Sequence, residues 1–239
     1  MEDIKAAIRY LRANADKYGI DANAVAVWGE SAGGYLATMV GVTNHSSAFD
    51  AGANLNQSSE VQGVIDDFGA SDISKIAADF DAVTQHATYS NEGLVQYIGK
   101  APDANSLDAG IATTVANPLK YTQANAPPFL IFHGNQDRMV SPGQTLIMHE
   151  ALVASGVRSA GYVVDGAAQI VRSLLLRDHI EHIRDQRLTL FAVPSYRSNG
   201  PSRNHDEMTV HRGVSDFGLL LYPKHTPGTK SECLAPYAL

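Results

Sequence analysis

Residues 25–34 read VAVWGESAGG: Val25, Ala26, Val27 and Trp28, then Gly29-Glu30-Ser31-Ala32-Gly33-Gly34. An unbroken apolar run of strand length is the pattern of a strand buried on both faces in a parallel sheet, since a strand with one wet face would alternate. Tyr35 to Val40 follows at once with helical character. Between strand and helix, Gly29 and Gly33 flank Ser31. A strand that turns sharply into a helix strains the backbone at the turn and leaves no room for side chains at close neighbours, so glycine fits there. The stretch therefore predicts a serine presented at the carboxyl edge of a parallel sheet, at the start of a helix whose first amides favour negative charge.

The same alternation extends outward. Ile4, Ala7, Ile8, Leu11, Ala15 and Tyr18 fall at helical spacing, which predicts an amphipathic helix over 3–18 with Lys5, Arg9, Arg12 and Lys17 on its wet side and Gly19 ending it. Val61 to Phe68, Phe129 to Phe132 and Tyr162 to Val164 are three more strand-like runs. Ser141-Pro142-Gly143-Gln144 reads as a capping box with proline at the first helical position, and Gly156 closes the helix it opens. Strands alternating with helices specify an α/β fold, a mostly parallel sheet flanked by helices. Residues 44–59 are polar and rich in turn formers, hence a surface loop. That loop holds the sequons Asn44-His45-Ser46 and Asn56-Gln57-Ser58, a three-residue pattern that also arises by chance. Residues 70–118 are mixed, with one or two short helices, and form an insertion suited to lining or covering a pocket.

Composition narrows the function classes. The net charge of −7 offers no basic face for nucleic acid and no polybasic segment for anionic lipid. No apolar run approaches the ~20 residues that cross a bilayer. The first residues, MEDIKAAIRY, carry no secretory signal, and Cys233 is the only cysteine. A disulfide framework is thereby excluded, a cysteine-built zinc site is not expected, and a cytoplasmic location is the default expectation. The balance shifts along the chain: residues 1–168 hold 9 Lys+Arg, 18 Asp+Glu and 29 alanines, whereas 169–239 hold 9, 7 and 3.

The turn at Ser31 has the form of a nucleophile elbow, Gly-x-Ser-x-Gly between strand and helix. With Asp3 to Arg12, Phe68-Gly69-Ala70-Ser71-Asp72, Asn117-Pro118-Leu119 and Pro127 to Val140, it resembles the α/β-hydrolase superfamily over roughly residues 2–168. Within that superfamily the resemblance is to the esterase/lipase group that includes acetyl-xylan and feruloyl esterases and hormone-sensitive-lipase-like carboxylesterases. It implies Ser31 as nucleophile and the Ala32 amide as an oxyanion donor. It also implies Asp137 as the acid, because His133-Gly134-Asn135-Gln136-Asp137-Arg138-Met139-Val140 matches the His-Gly-x-x-Asp-x-x-Val segment that carries it. A carboxylate there holds the imidazole in one tautomer and stabilises the imidazolium. His133 belongs to the turn that presents Asp137 and is not the base. Asp67-Phe68-Gly69 marks the end of a strand, and Asp66, Asp72 and Glu30 cap, pair or face water.

Two parts of the pattern depart from expectation. The resemblance places the base in a Gly-Ala-x-His loop after the last core strand, where Gly166-Ala167-Ala168 leads to Gln169. A glutamine amide has no useful basicity near neutral pH. His179 and His182 sit three apart in a charged segment and read as solvated rather than as a metal pair, and no placement favours His205, His211 or His225. The family's strands before the opening helix, and its His-Gly-Gly loop, have no counterpart here, so the Val25–Trp28 strand is expected to be an exposed edge. The chain accordingly divides into a partial hydrolase domain, 1–168, and an atypical tail, 169–239. The start reads as internal to a longer fold, and the tail as a slip of the reading frame near codon 169.

The leading functional reading is a serine carboxylic-ester hydrolase, or a truncated fragment of one, acting without a cofactor on small acyl or polysaccharide esters. The alternatives are a non-catalytic relic or binding protein that retains the pocket, and a serine peptidase of the prolyl-oligopeptidase type. No nucleic-acid or membrane partner is expected, and no oligomeric state is specified.

Overall fold

The computed structural model describes residues 1–89 and 115–168, together with the strand segments 217–223 and 237–238. The elements run α1 (Glu2–Ala13), α2 (Ala15–Tyr18), β1 (Ile20–Glu30), α3 (Ala32–Val42), β2 (Gly63–Asp67), a 3-10 turn (Ile73–Lys75) and α4 (Ala82–Tyr89). A second 3-10 turn (Pro118–Tyr121), β3 (Phe129–Gly134), α5 (Gly143–Ala154), β4 (Ser159–Val164), β5 (Phe217–Pro223) and β6 (Tyr237–Ala238) follow. The strands form one sheet in the order β4-β3-β2-β1-β5-β6. Strands β1 to β4 pair in parallel, and β5 and β6 are antiparallel additions.

Both faces of the parallel part are apolar, which is why the strand sequences do not alternate. On one face Val25, Val27, Val64, Phe129 and Ile131 pack with Ile8 of α1, Met39 and Val40 of α3, and Met148 and Leu152 of α5. On the other, Ala26, Ile65, Leu130 and Phe132 form a second cluster with Trp28 and Tyr162 against it. Fully burying such side chains stabilises by about 1.5–3 kcal/mol each, so α3, buried along nearly its whole length, is the central pillar beneath the elbow.

Several local expectations are corrected. The opening helix breaks at Asn14, although Gly19 does end the second piece in a left-handed cap at φ 65°. Lys5 and Arg9 do not face water: each is 1% exposed. Lys5 Nζ donates to the carbonyls of Thr43 (3.1 Å) and Ser46 (2.8 Å). Arg9 donates through Nε to Ala53 O (3.2 Å), through Nη1 to Asp50 Oδ1 (2.6 Å) and through Nη2 to Ala51 O. The loop after α3 folds over the helix and supplies acceptors that need donors, and the long basic side chains reach them. Burial lowers the Lys5 pKa, with Asp50 opposing. In the same loop Asn44 is buried and holds Val61 through both ends of its amide, which removes the first sequon as an acceptor in the folded chain.

The capping box also fails. Gln144 is turned inward, accepting from the amides of Ser71 (2.9 Å) and Asp72 (2.7 Å) and donating to Lys75 O (2.8 Å), while Ser141 Oγ donates to Asp79. The insertion after β2 competes for these side chains and wins because its own backbone groups would otherwise be buried unpaired. Finally, β1 is not an exposed edge. β5, from the tail, lies antiparallel on it with Val25 opposite Leu221 and Gly29 opposite Phe217. An edge strand offers a row of free donors and acceptors, and an apolar extended segment far along the chain fills it. Among the described residues no helix is long and apolar enough to cross a membrane.

Candidate active site

Parallel pairing brings the site's parts to one edge. β1 ends at Glu30 and β3 at Gly134, both bordering β2, so Ser31 and the turn carrying Asp137 leave the sheet at the same carboxyl end. This is where ligands bind in open α/β sheets.

Ser31 sits between β1 and α3 with φ 56° and ψ −118°, a conformation that side chains rarely adopt. Such a residue stores about 1–3 kcal/mol and persists only where its surroundings over-determine it. They do so here. The Ser31 amide donates to Asp67 O at 2.8 Å, and Ser31 O accepts from Tyr35 N at 3.0 Å. A Cβ on Gly29 would lie 2.2 Å from the Gly33 carbonyl carbon, and one on Gly34 would lie 2.3 Å from Asp66 Oδ1. Close approach thus requires glycine at Gly29, as the motif predicts, and at Gly34, one residue beyond the motif's Gly33. Ala32, the exposed first residue of α3, carries an amide with no intrahelical acceptor.

Beneath the elbow lie two carboxyls whose importance the sequence reading passed over. Asp66 is fully buried and accepts from Thr38 Oγ1 (2.7 Å) and Gly69 N (2.8 Å), tying α3 to the exit of β2. Burial raises its pKa. Asp67, on the opposite face, accepts from Trp28 Nε1 at 2.7 Å. Burial first, then the charges of Asp66 and Glu30, push its pKa up to about 7 against the Trp28 bond. Two acids closing an otherwise apolar run were the available signal, because a buried carboxyl needs a partner.

Asp137 is 2% exposed. Its Oδ1 accepts from the amides of Met139 (2.7 Å) and Val140 (3.0 Å). Its Oδ2, 3.3 Å from His133 Nε2, has no hydrogen-bond partner among the described residues. His133 itself is wholly buried, with Nε2 3.0 Å from Val140 O and Nδ1 2.9 Å from Thr145 Oγ1.

The loop after β4 is clasped to this turn. Gln136 N donates to Ala167 O (2.8 Å), Asn135 Nδ2 to Asp165 Oδ1 (2.6 Å) and Gly166 N to Asn135 Oδ1 (2.8 Å). A Cβ on Gly134 would lie 2.2 Å from Ala167 O, which accounts for that glycine. The chain is therefore carried to the turn of Asp137 two residues before position 169. Gln169 lies outside the described residues, as do His179, His182, His205, His211 and His225. Among the described residues no group of three or more His, Cys, Asp or Glu is arranged to hold a metal ion.

Comparison with known proteins bears on the family and the fold. The chain is 29% identical over 162 residues to Esterase LipC and 26% identical over 161 residues to Esterase LipQ, both from Mycobacterium tuberculosis (strain ATCC 25618 / H37Rv). Each alignment covers 67% of this chain but only 38% and 35% of the relative, so the chain spans little more than a third of their length. Among solved structures, a truncated form of a carbohydrate esterase from gut microbiota superposes with TM-score 0.60 at 24% identity, covering 77% of this chain and 67% of that one. A bifunctional GH43-CE from Bacteroides eggerthii gives TM-score 0.61 at 29% identity, over 78% of this chain and 27% of that one. A thermophilic esterase from Thermogutta terrifontis, solved with propionate bound, gives 0.54 at 25%, over 77% and 62%. The BD-FAE family model matches residues 1–152, a stretch that takes in both the elbow and the acid's turn, and the chain accordingly belongs to the BD-FAE family of α/β-hydrolase esterases.

Proposed function

We propose that this chain carries the nucleophile and acid of a serine carboxylic-ester hydrolase, with Ser31 attacking the ester carbonyl, the Ala32 amide holding the oxyanion and Asp137 orienting a proton-carrying imidazole. One observation carries the reading. Ser31 occupies a strained turn at φ 56° that glycine contacts and the Asp67 carbonyl hold in place, an arrangement whose cost is explained by presenting a nucleophile. The proposed substrates are small acyl esters, including acetyl or feruloyl groups on polysaccharide. The propionate bound to the Thermogutta terrifontis esterase supports a small acyl group.

The test is to treat the full chain with a fluorophosphonate probe and with para-nitrophenyl acetate, beside Ser31→Ala. Labelling and turnover that vanish in Ser31→Ala are expected, at a rate far below that of a complete triad. The acyl group would pass to Ser31 Oγ, the alcohol would leave with a proton, and water would release the acid. A folded chain that does not label ends this reading.

A second reading, a non-catalytic relic, is favoured by one feature: the position reserved for the base holds Gln169. Without a base, residual catalysis of order 10³–10⁴ over water comes from binding and the oxyanion hole in well-studied cases. The proposed frame slip at codon 169 is tested by translating the other two frames downstream. A continuation with histidine in the base position and an amphipathic helix is expected, and its lack in both frames would remove the idea.

A further inference from the structure

His133 is absorbed by neither the nucleophile nor the base, yet it is among the most constrained side chains of the molecule. It is wholly buried, and each ring nitrogen has one hydrogen-bond partner. Val140 O can only accept, so Nε2 must carry the proton there. Thr145 Oγ1, which can donate or accept, closes the ring at Nδ1. The Nε2 proton bears directly on Asp137. The Nε2–H is directed at Val140 O (3.0 Å) and lies 3.3 Å from Asp137 Oδ2, too far aside to satisfy that oxygen but close enough to bias its orientation electrostatically. Meanwhile Oδ1 is fully engaged by the Met139 and Val140 amides. The carboxyl is thus pinned through Oδ1 and only biased at Oδ2, which keeps its lone pairs for another donor.

We infer that His133 is a positioning residue for the acid: through Nε2–H, locked in place by Thr145 and Val140, it holds the Asp137 carboxylate with Oδ2 turned toward the donor that the hydrolytic reaction requires. The inference rests on the serine-hydrolase reading for its purpose, though not for its geometry. A lysine or arginine in that place would form a full ion pair with Oδ2 and occupy it. An imidazole N–H already committed to a carbonyl orients the oxygen without consuming it.

The first test needs no activity. Nitrogen-15 spectroscopy of the histidine rings in the full chain, with His133→Gln used to assign the signal, should find a proton on Nε2 of His133. An Nε2 that carries no proton would overturn the inference. The second test compares His133→Gln, which keeps an N–H near the Nε2 position, with His133→Met, which keeps bulk but no donor. Hydrogen exchange at the Met139 and Val140 amides should quicken by about tenfold or more in His133→Met and stay near wild type in His133→Gln. Equal exchange in both variants would sink the proposal. Where Ser31-dependent turnover is measurable, His133→Met should lower kcat with KM unchanged. Loss of Ser31 labelling in the wild-type chain would count against the hydrolase reading alone, leaving the Nε2 protonation and exchange results to decide the role of His133.

Discussion

The elbow at Ser31 and the turn at Asp137 stand at the same edge of one sheet, two strands apart, and they are finished to different degrees. At the elbow every constraint comes from β1, α3 and the adjoining strand β2 with its exit. The strained backbone is held by the Asp67 carbonyl, by glycines at 29 and 34 whose neighbours leave no room for a Cβ, and by Asp66 bridging Thr38 and Gly69. At the acid's turn one carboxylate oxygen is saturated and the other has no partner among the described residues. On the proposed reading, a nucleophile needs only to be presented, which one supersecondary unit accomplishes, whereas an acid has meaning only relative to the imidazole it orients.

If the elbow is self-contained, damage within it should be costly. Gly29→Ala drives a methyl to 2.2 Å from the Gly33 carbonyl. Overpacking against backbone, added to the strain already stored, should cost more than about 3 kcal/mol. Urea unfolding should detect the loss, and fluorophosphonate labelling of Ser31 should disappear with it. A variant of near wild-type stability would mean that the turn is not tight.

Asp67→Asn sets a smaller effect of opposite sign. Because burial lifts the Asp67 pKa to about 7 from its ordinary 3.8, the native state keeps a proton that the unfolded chain releases. Stability from this group is therefore fully present below the unfolded value and falls as pH rises toward and through about 7. Asparagine still accepts from Trp28 Nε1 but carries no charge. The variant should match wild type near pH 4 and gain up to a few kcal/mol near pH 8, since a tenfold change in proton affinity corresponds to about 1.36 kcal/mol. Parallel stability curves across that range would show that Asp67 is not desolvated in the way the structure implies.

The acid's turn should yield the mildest response. Asn135→Ala removes two hydrogen bonds, to Asp165 and from Gly166, that clasp the loop after β4. These groups are exposed and water can replace the partners, so the cost should be about 0.5–1.5 kcal/mol. Exchange at Gly166 should speed while that of α3 is unchanged. A cost as large as that of Gly29→Ala would erase the distinction between the two regions.

The regions also differ in how far they could be read from the chain. Ser31 and its glycines were legible because the constraint is local: strand, turn and helix lie within a few residues and sterics dictate their types. Asp137 was singled out by its match to a known segment, which also set His133 in its turn, whereas its burial and the contact of His133 with Thr145 were not legible. Lys5 and Arg9 were misread because a helical pattern identifies which side chains point away from the strands but not whether a later loop will cover them. Gln144 was misread for the same reason, since the acceptors and donors that redirect it come from residues 71–75. The covering of β1 by β5 was out of reach, because almost two hundred residues separate Val25 from Leu221 and backbone pairing leaves no local signature.

By itself, the order of apolar runs, glycines and caps determined an α/β chain with a parallel sheet, the strained serine turn and the edge at which a site must form, because short-range sterics and burial periodicity act within single elements. Tertiary structure alone decided which polar groups became interior. Asp66 and Asp67 under the elbow and Arg9 beneath its loop owe their roles to partners distant in sequence, since a buried donor or acceptor is defined by whatever the fold sets opposite it.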